Sequence, residues 1–434
     1  MTLTRRAATG LLASVAVSSS LASSLASSLA GCTAKAPLRV WAMGLEGEAL
    51  GPFAREFERS HPGVTIRVQV LPWSAAHEKL LTAFAADNLP DIIALGNTWV
   101  SEFAALNALE PLNDRLKGSA IRFDHFFDGA RNAVTIGDRI LGVPWYVDTR
   151  LLFYRTDLLH QAGFDVPAAT WDRWDAQLAA LSGAGRHGLL MPINEYEPLV
   201  ALCLQSDDSL LLDNDTRGGF RQAGIRDAFA YAASLYERGY AARIMHSEVT
   251  DYYSAFARGE YAFIITGPWN LGEFSRRLPA ALQDKWATAP LPGPKGPGAS
   301  SAGGVSMCVT RASRNKEVAF SFVEYMCNTR QQAVFYQATG DLPPDRDAWP
   351  MARLMEDERT HAFFDQLSMA RPVPKVPEWE RIANEMTGAL ERVIRGQVGL
   401  DAALERLDAF AWNVLTKRRT LLARQRSFQK SGAA

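Results

Sequence analysis

Cysteine, histidine and net charge are all scarce in this chain, and each scarcity excludes something. Only four cysteines occur in 434 residues. With Cys32 set aside, Cys203, Cys308 and Cys327 remain, an odd number set among apolar neighbours. No disulfide framework is indicated, and burial as small hydrophobes is expected. The seven histidines are scattered without ligand spacing to one another or to cysteine, so neither a metal nor a cofactor is expected. A formal net charge of −1 removes the electrostatic case for nucleic acid or an acidic polymer as partner. The chain lacks a Gly-x-Ser-x-Gly elbow, a His-Glu-x-x-His pair and a Gly-x-x-x-x-Gly-Lys loop, so no hydrolase or phosphate-binding motif is on offer. Past Ala30, no stretch reaches the roughly 20 apolar residues of a spanning helix.

What is present begins at the N-terminus. Arg5 and Arg6 precede an uncharged Ala/Leu/Val/Ser run from Ala7 to Ala30, which ends in Leu29-Ala30-Gly31-Cys32. A basic start, an apolar stretch and small residues at a cleavage point mark a secretory signal. The segment resembles a bacterial lipoprotein signal over residues 1–31, with Cys32 lipidated as the new N-terminus. The expectation is a periplasmic or extracytoplasmic protein anchored to a membrane by lipid. The arginine pair also hints at a twin-arginine route, although the rest of that motif is missing. At the other end, Lys417, Arg418, Arg419, Arg424, Arg426 and Lys430 have no acid among them, and 417–434 reads as a solvated basic tail.

Between these ends lie about 400 residues, more than one compact core takes, so two domains are expected. Leu38–Met43 reads as a strand, Gly44–Gly47 as a loop, and Leu50, Phe53, Ala54 and Phe57 recur at helical spacing. Val64, Ile66, Val68 and Val70 alternate with polar residues as a second strand, a helix carries Leu80, Leu81 and Phe84, and Asp91–Leu95 is a short apolar strand. Such alternation argues for a layered, mostly parallel α/β domain with its ligand crevice beyond the carboxyl ends of the strands. Those ends bring up Gly44–Glu48, Leu71–Trp73 and Gly96–Trp99. Further along, Gly142–Asp148, Leu151–Tyr154 and Tyr261–Thr266 read as strands, and Leu291–Gly304 as a loop or crossover. The alternating prolines of Arg371–Pro377 forbid a helix there. Two amphipathic helices follow, one on Ile382, Met386, Leu390 and Val393, the other on Leu404, Leu407 and Phe410.

Several segments, taken in order, resemble the extracellular solute-binding proteins of ABC importers, in the branch that takes sugars. They are Phe57–Val64, Leu89–Ile93, Pro144–Asp148, Leu152–Leu159, Ile265–Asn270, the Gly303-Gly304 pair and Ser313–Lys316. The resemblance runs from about Pro37 to Arg395. It implies a two-lobed periplasmic-binding-protein fold of type II, α/β, with mostly parallel-core sheets, hinge strands and a central ligand cleft. The implied division is 37–148 plus 290–328 for the N-terminal lobe and 149–289 plus 329–416 for the C-terminal lobe. The implied partners are a small-molecule sugar and the transmembrane subunits of an ABC permease, with no reaction catalysed and a monomer expected.

A sugar offers apolar ring faces and a rim of hydroxyls. Flat aromatics cover the first, and carboxylates, amides or arginines bind the second. Glu46, Asp148 and Arg346 are the polar candidates, and Trp73, Trp99, Tyr146, Trp269 and Trp379 the aromatic ones. Gly304 would let a backbone amide approach the ligand closely. By position, Glu46, Tyr146, Asp148, Trp269 and Gly304 match sugar-holding loops of the family, and the branch resembled most binds α-linked glucose disaccharides such as maltose or trehalose. Two alternatives stay open: a secreted carbohydrate-active hydrolase using Glu46 and Asp148 as its carboxyl pair, and a binder of the same fold that takes a polyol phosphate.

Overall fold

The computed structural model describes residues 36–431 except 184, 246, 247 and 250. The expected signal segment and Cys32 lie outside the described residues. The main strands are β1 (Leu38–Met43), β2 (Ile66–Leu71), β3 (Ile92–Gly96), β4 (Val143–Tyr146), β5 (Leu151–Arg155), β6 (His187–Leu190), β7 (Tyr261–Thr266), β8 (Trp286–Ala289) and β9 (Val305–Val309). They form a five-stranded sheet in the order β2-β1-β3-β9-β4 and a four-stranded sheet in the order β8-β5-β7-β6.

The parallel arrangement expected from the strand–helix alternation holds among β1, β2 and β3. The sheets as wholes are mixed. β9 runs antiparallel to both β3 and β4, and β5 antiparallel to both β7 and β8, while β6 and β7 are parallel. The reason is the path of the chain. It leaves the first sheet at the carboxyl end of β4, builds the second, and re-enters the first at that same end of the strands, between β3 and β4, so β9 must run backwards.

Each sheet has its own core. In the first lobe, Val40, Ile92, Ile93, Leu95, Val143, Trp145 and Met307 pack against helix residues Leu50, Phe53, Phe57 and Leu80. Phe335, from the Thr329–Thr339 helix beyond the expected 290–328 return segment, also packs in this core, against Phe53 and Trp145. In the second lobe, Leu152, Trp174, Leu189, Phe263 and Phe229 pack with Trp379, Ile382, Met386, Leu404 and Leu407 from the closing helices. A further cluster around Phe153, Phe274, Trp286, Trp349 and Phe363 covers the opposite face of the second sheet. Cys203, Cys308 and Cys327 are buried free thiols within these cores.

Two further expectations are corrected. Gly44–Gly47 is the first turn of the Gly44–Ser60 helix, entered through Gly44 at φ +56°, and no separate loop intervenes. The stretch read as a solvated basic tail is a helix over Thr416–Ser431. Arg418 reaches the Asn214 carbonyl, and Arg419 reaches Thr216 and stacks on Trp412, so its first turn is tied to the second lobe.

The two crossing segments lie side by side. The Gly303 N–H donates to the Asp148 carbonyl at 2.9 Å, the Thr149 hydroxyl to the Ser301 carbonyl at 2.9 Å, and the Arg150 N–H to Ser300 Oγ at 3.2 Å. Glycine is required here. A Cβ on Gly304, at φ +115°, would sit 2.3 Å from the Tyr146 carbonyl oxygen, and one on Gly303 would sit 2.0 Å from Asp148 Oδ1.

Candidate functional site

The carboxyl ends of β1, β3 and β4 and the start of β9 open on a cleft of about 570 Å³. Gly44, Glu46, Trp73 and Asn97–Trp99 form the first-lobe wall, and Tyr196, Glu197, Trp269 and Glu380 the second-lobe wall. The crossing segments and Asp341 close it between them.

Every candidate ligand residue named from the sequence lines this cleft except Arg346. Arg346 is held elsewhere: its guanidinium donates to the Phe126 carbonyl at 3.0 Å and lies 4.6 Å from the Phe127 ring centre. Glu46 stands in the first turn of its helix, where the positive end of the helix dipole faces the cleft. Trp73 opens the next helix and is 42% exposed, with its ring 5.8 Å from that of Trp99 in an edge-on pair. Trp269, at the start of the helix after β7, is 39% exposed. These rings are large apolar surfaces left open to solvent, which a folded chain ordinarily covers. Tyr146 and Trp379 reach the cleft wall from within the cores and are themselves buried. Gly304 lines the cleft too, but the room left by its missing side chain is filled by the neighbouring crossing strand.

The electrostatics divide around one cation. Arg150 donates to Asp148 Oδ1 at 3.3 Å and to Glu197 Oε1 at 2.9 Å, and its guanidinium lies 4.6 Å from the Trp269 ring centre. Nearby, Glu380 accepts from Thr98 Oγ1 at 2.5 Å and from Tyr196 OH at 3.1 and 3.2 Å. Thr98 belongs to the first lobe, and Tyr196 and Glu380 to the second, so this carboxylate spans the cleft. Away from Arg150 the acids are less well served. Glu46 Oε2 is buried with no hydrogen-bond partner, although the Trp73 indole N–H nearby favours its charged form. Burial raises the Glu46 carboxyl above its usual range, and the Asp148 charge adds to the rise. Burial likewise raises Asp148, against the pull of Arg150. Asp341, only 5% exposed, is pushed up to about 8 by burial and by the charges of Glu46 and Asp148. Burial, with the charges of the same three acids added, holds the Tyr146 phenol protonated well beyond its usual range.

Sequence reasoning missed Asn97, Thr98, Arg150, Tyr196, Glu197, Asp341 and Glu380. Arg150 was within reach, since it lies two residues past Asp148 on the same crossing segment. Asn194-Glu195-Tyr196-Glu197 offered an acid–aromatic cluster after β6. Asp341 carries no local signal: it follows the left-handed Gly340 that ends the Thr329–Thr339 helix, and only the fold brings it to the cleft.

One cluster of metal-ligand type stands apart from the cleft. His125, Asp345 and Asp347 approach within 4.8 Å of one another. Arg122 pairs with Asp347, and the Thr329 hydroxyl donates to Asp345, so the acids are already served.

This arrangement can hold a polar, flat-faced small molecule between two lobes. The sugar-binding protein MalE of Xanthomonas citri has the same fold, with a TM-score of 0.86 and 43% identity, across 89% of this chain and 99% of its own. A binding protein of Brucella abortus is 26% identical over 385 residues, 85% of this chain and 90% of its own. The galactooligosaccharide-binding protein of Bacillus subtilis is 23% identical over 377 residues, 85% of this chain and 87% of its own. The family model for bacterial extracellular solute-binding proteins matches residues 53–358. The chain belongs to the bacterial extracellular solute-binding proteins, a family of extracytoplasmic binding proteins and not of enzymes.

Proposed function

We propose that this protein is the substrate-binding component of an ABC sugar importer. It takes a disaccharide of the α-linked glucose type, such as maltose or trehalose, between its lobes and delivers it to the permease, tethered to the membrane by lipid on Cys32. The observation that carries this reading is the make-up of the cleft. Trp73, Trp99 and Trp269 offer ring-sized apolar faces, and carboxyls converge between them, with one arginine already shared by two of these acids. That is the complement of a neutral polyhydroxylated ring. A volume of about 570 Å³ lies within the range of small-molecule sites. The names of two relatives, a MalE and a galactooligosaccharide binder, point the same way. A polyol phosphate is disfavoured, because Glu46, Asp148, Glu197, Asp341 and Glu380 outnumber the single Arg150 along the cleft.

Ligand touching both walls favours the closed arrangement, so binding shifts the lobes toward closure about the crossing segments near Asp148 and Pro290. The test is calorimetric titration of protein beginning at Thr33 with maltose, trehalose, sucrose and a galactoside. Dissociation constants of about 1 µM or tighter, near −8 kcal/mol, for one α-glucoside and not its neighbours would support the reading and name the cargo. Binding of the galactoside alone would keep the sugar class and discard the linkage.

A further inference from the structure

The Trp73–Ala85 helix and the turn and short helix that follow β3, Asn97–Trp99 and Val100–Ala105, are linked twice. At the cleft, the Trp73 and Trp99 rings meet edge-on, 5.8 Å between centres. One turn along each element, His77 Nε2 and Glu102 Oε2 meet at 2.6 Å. His77 follows Trp73 by four residues and Glu102 follows Trp99 by three, spacings that keep each pair on one side of its element. The two links are joined diagonally: the His77 ring lies 5.0 Å from the Trp99 ring, tilted by 48°. Beneath the indole is the backbone of β3, where a Cβ on Gly96 would lie 3.5 Å from the ring. Trp73 and Trp99 line the cleft, and His77 and Glu102 do not. The His77 and Glu102 side chains are 31% and 25% exposed, enough for solvent protons to reach the pair. The charged groups that act on His77 are all acids: Glu102 through the bond, Glu380 from the second lobe and Glu78 from its own helix. The bond to Glu102 lifts the imidazole above its usual range, the acids' charges add to the rise, and burial opposes it.

On the sugar-binding reading above, we propose that His77 is a positioning residue of the cleft: bonded to Glu102, its imidazolium rests against Trp99 and fixes the indole on which the ligand stacks. A cation within about 6 Å of an indole is drawn to the electron-rich face of the ring. The charged imidazole therefore grips Trp99, and the neutral one releases it. A ring already immobilised loses less freedom when a ligand stacks on it, so the grip raises affinity without His77 touching the ligand. Trp73 shares the effect, because its edge meets the ring that His77 holds.

The first experiment needs no ligand. Near-ultraviolet circular dichroism of tryptophan reports how rigidly an indole is held, and should weaken between pH 6 and pH 9 as His77 loses its proton. His77→Gln keeps a donor for Glu102 but cannot take the charge, and should abolish that change. Trp99→Phe should abolish it too, which assigns the signal. No change in the wild type, or the same change in His77→Gln, would overturn the positioning role. The second experiment repeats the maltose and trehalose titrations across this range. Asp341 titrates there as well, so the quantity read is the part of the pH dependence that His77→Gln removes. That part should be a loss of about two- to fivefold in wild-type affinity toward high pH. Glu102→Gln serves if the first variant folds poorly: it keeps a partner for the imidazole and removes the acid, so the midpoint of both profiles should move to lower pH. Parallel affinity profiles for wild type and His77→Gln, or an unmoved midpoint in Glu102→Gln, would overturn the role while leaving sugar binding intact. No sugar bound at any pH, with the dichroism change present and dependent on His77, would overturn the sugar reading and leave Trp99 positioned for a different ligand.

Discussion

The two sides of the cleft solve the same electrostatic problem in opposite ways. Around Arg150 the charges are closed into a network: one guanidinium bridges Asp148 and Glu197 and lies over Trp269, while Glu380 is served by Thr98 and Tyr196. Around Glu46 and Asp341 the charges are left open, with a buried carboxyl oxygen lacking a partner and a nearly inaccessible aspartate pushed up by burial and by the charges of other acids. An open arrangement costs folding free energy, and chains retain such costs where a ligand is to supply the missing partners. The closed side therefore reads as preorganised scaffold, and the open side as the surface that recognises ligand. Opposite stability effects are expected when the two sides are disarmed.

The largest effect is expected on the closed side. Arg150→Met removes the one cation and leaves Asp148 and Glu197 partly buried without a counter-charge. Loss of about 2–4 kcal/mol of stability is expected at pH 7, the lower end reflecting the residual exposure of the two acids. Urea unfolding of the two proteins measures it. A loss of less than about 0.5 kcal/mol would mean that solvent, not Arg150, balances these acids, and the contrast between the walls would collapse.

The open side should respond with the other sign. The Asp341 carboxyl has its folded value near 8 against 3.8 in the unfolded chain, so the folded protein holds a proton that the unfolded chain has released throughout that window. Wild-type stability from this group therefore falls as pH rises from about 4 to about 8, and the penalty is complete above it. Asp341→Asn removes the penalty. A gain of about 1–2 kcal/mol is expected at pH 9, shrinking toward nothing at pH 4, in thermal melts run across that range. A gain of equal size at both ends would trace to packing and not to the proton.

How much of this could be read in the sequence follows from how local each signal is. β1, β2 and β3 were legible because alternation and short apolar runs are properties of neighbouring residues, and the crevice at their carboxyl ends followed from the layered fold. Glu46, Trp73 and Trp99 were found because they sit directly at strand exits. Asp341 and Glu380 were not, since each lies on an element whose own pattern says nothing about the cleft. Glu380 follows Trp379 at the start of an amphipathic helix whose apolar face alone is visible in sequence. Arg346 was misplaced for the converse reason: a lone arginine near the expected cleft segment cannot be told from one that caps a carbonyl and stacks on Phe127. The mixed direction of the sheets was hidden because strand direction depends on the end of the sheet at which the chain returns, a long-range property of 290–304.

The smallest expected effect is the most discriminating about motion. Thr98 donates across the cleft to Glu380, which keeps Tyr196 as a second donor when Thr98 is changed. Thr98→Val is nearly isosteric, removes one hydroxyl and leaves no acid stranded, so global stability should fall by less than about 1 kcal/mol. The bond exists only while the lobes are together, so its loss acts on the balance between open and closed forms. If it contributes about 1 kcal/mol to closure, the open population rises roughly fivefold relative to the closed one, and ligand affinity falls by up to the same factor. Small-angle scattering of ligand-free protein should then show a larger radius for Thr98→Val, and saturating ligand should bring both proteins to the same compact value. If both remain equally compact without ligand while affinity still falls, Thr98 touches the ligand and not the lobe balance. The bridge would then belong to the recognising side of the cleft, and the division between the walls would shift by that residue.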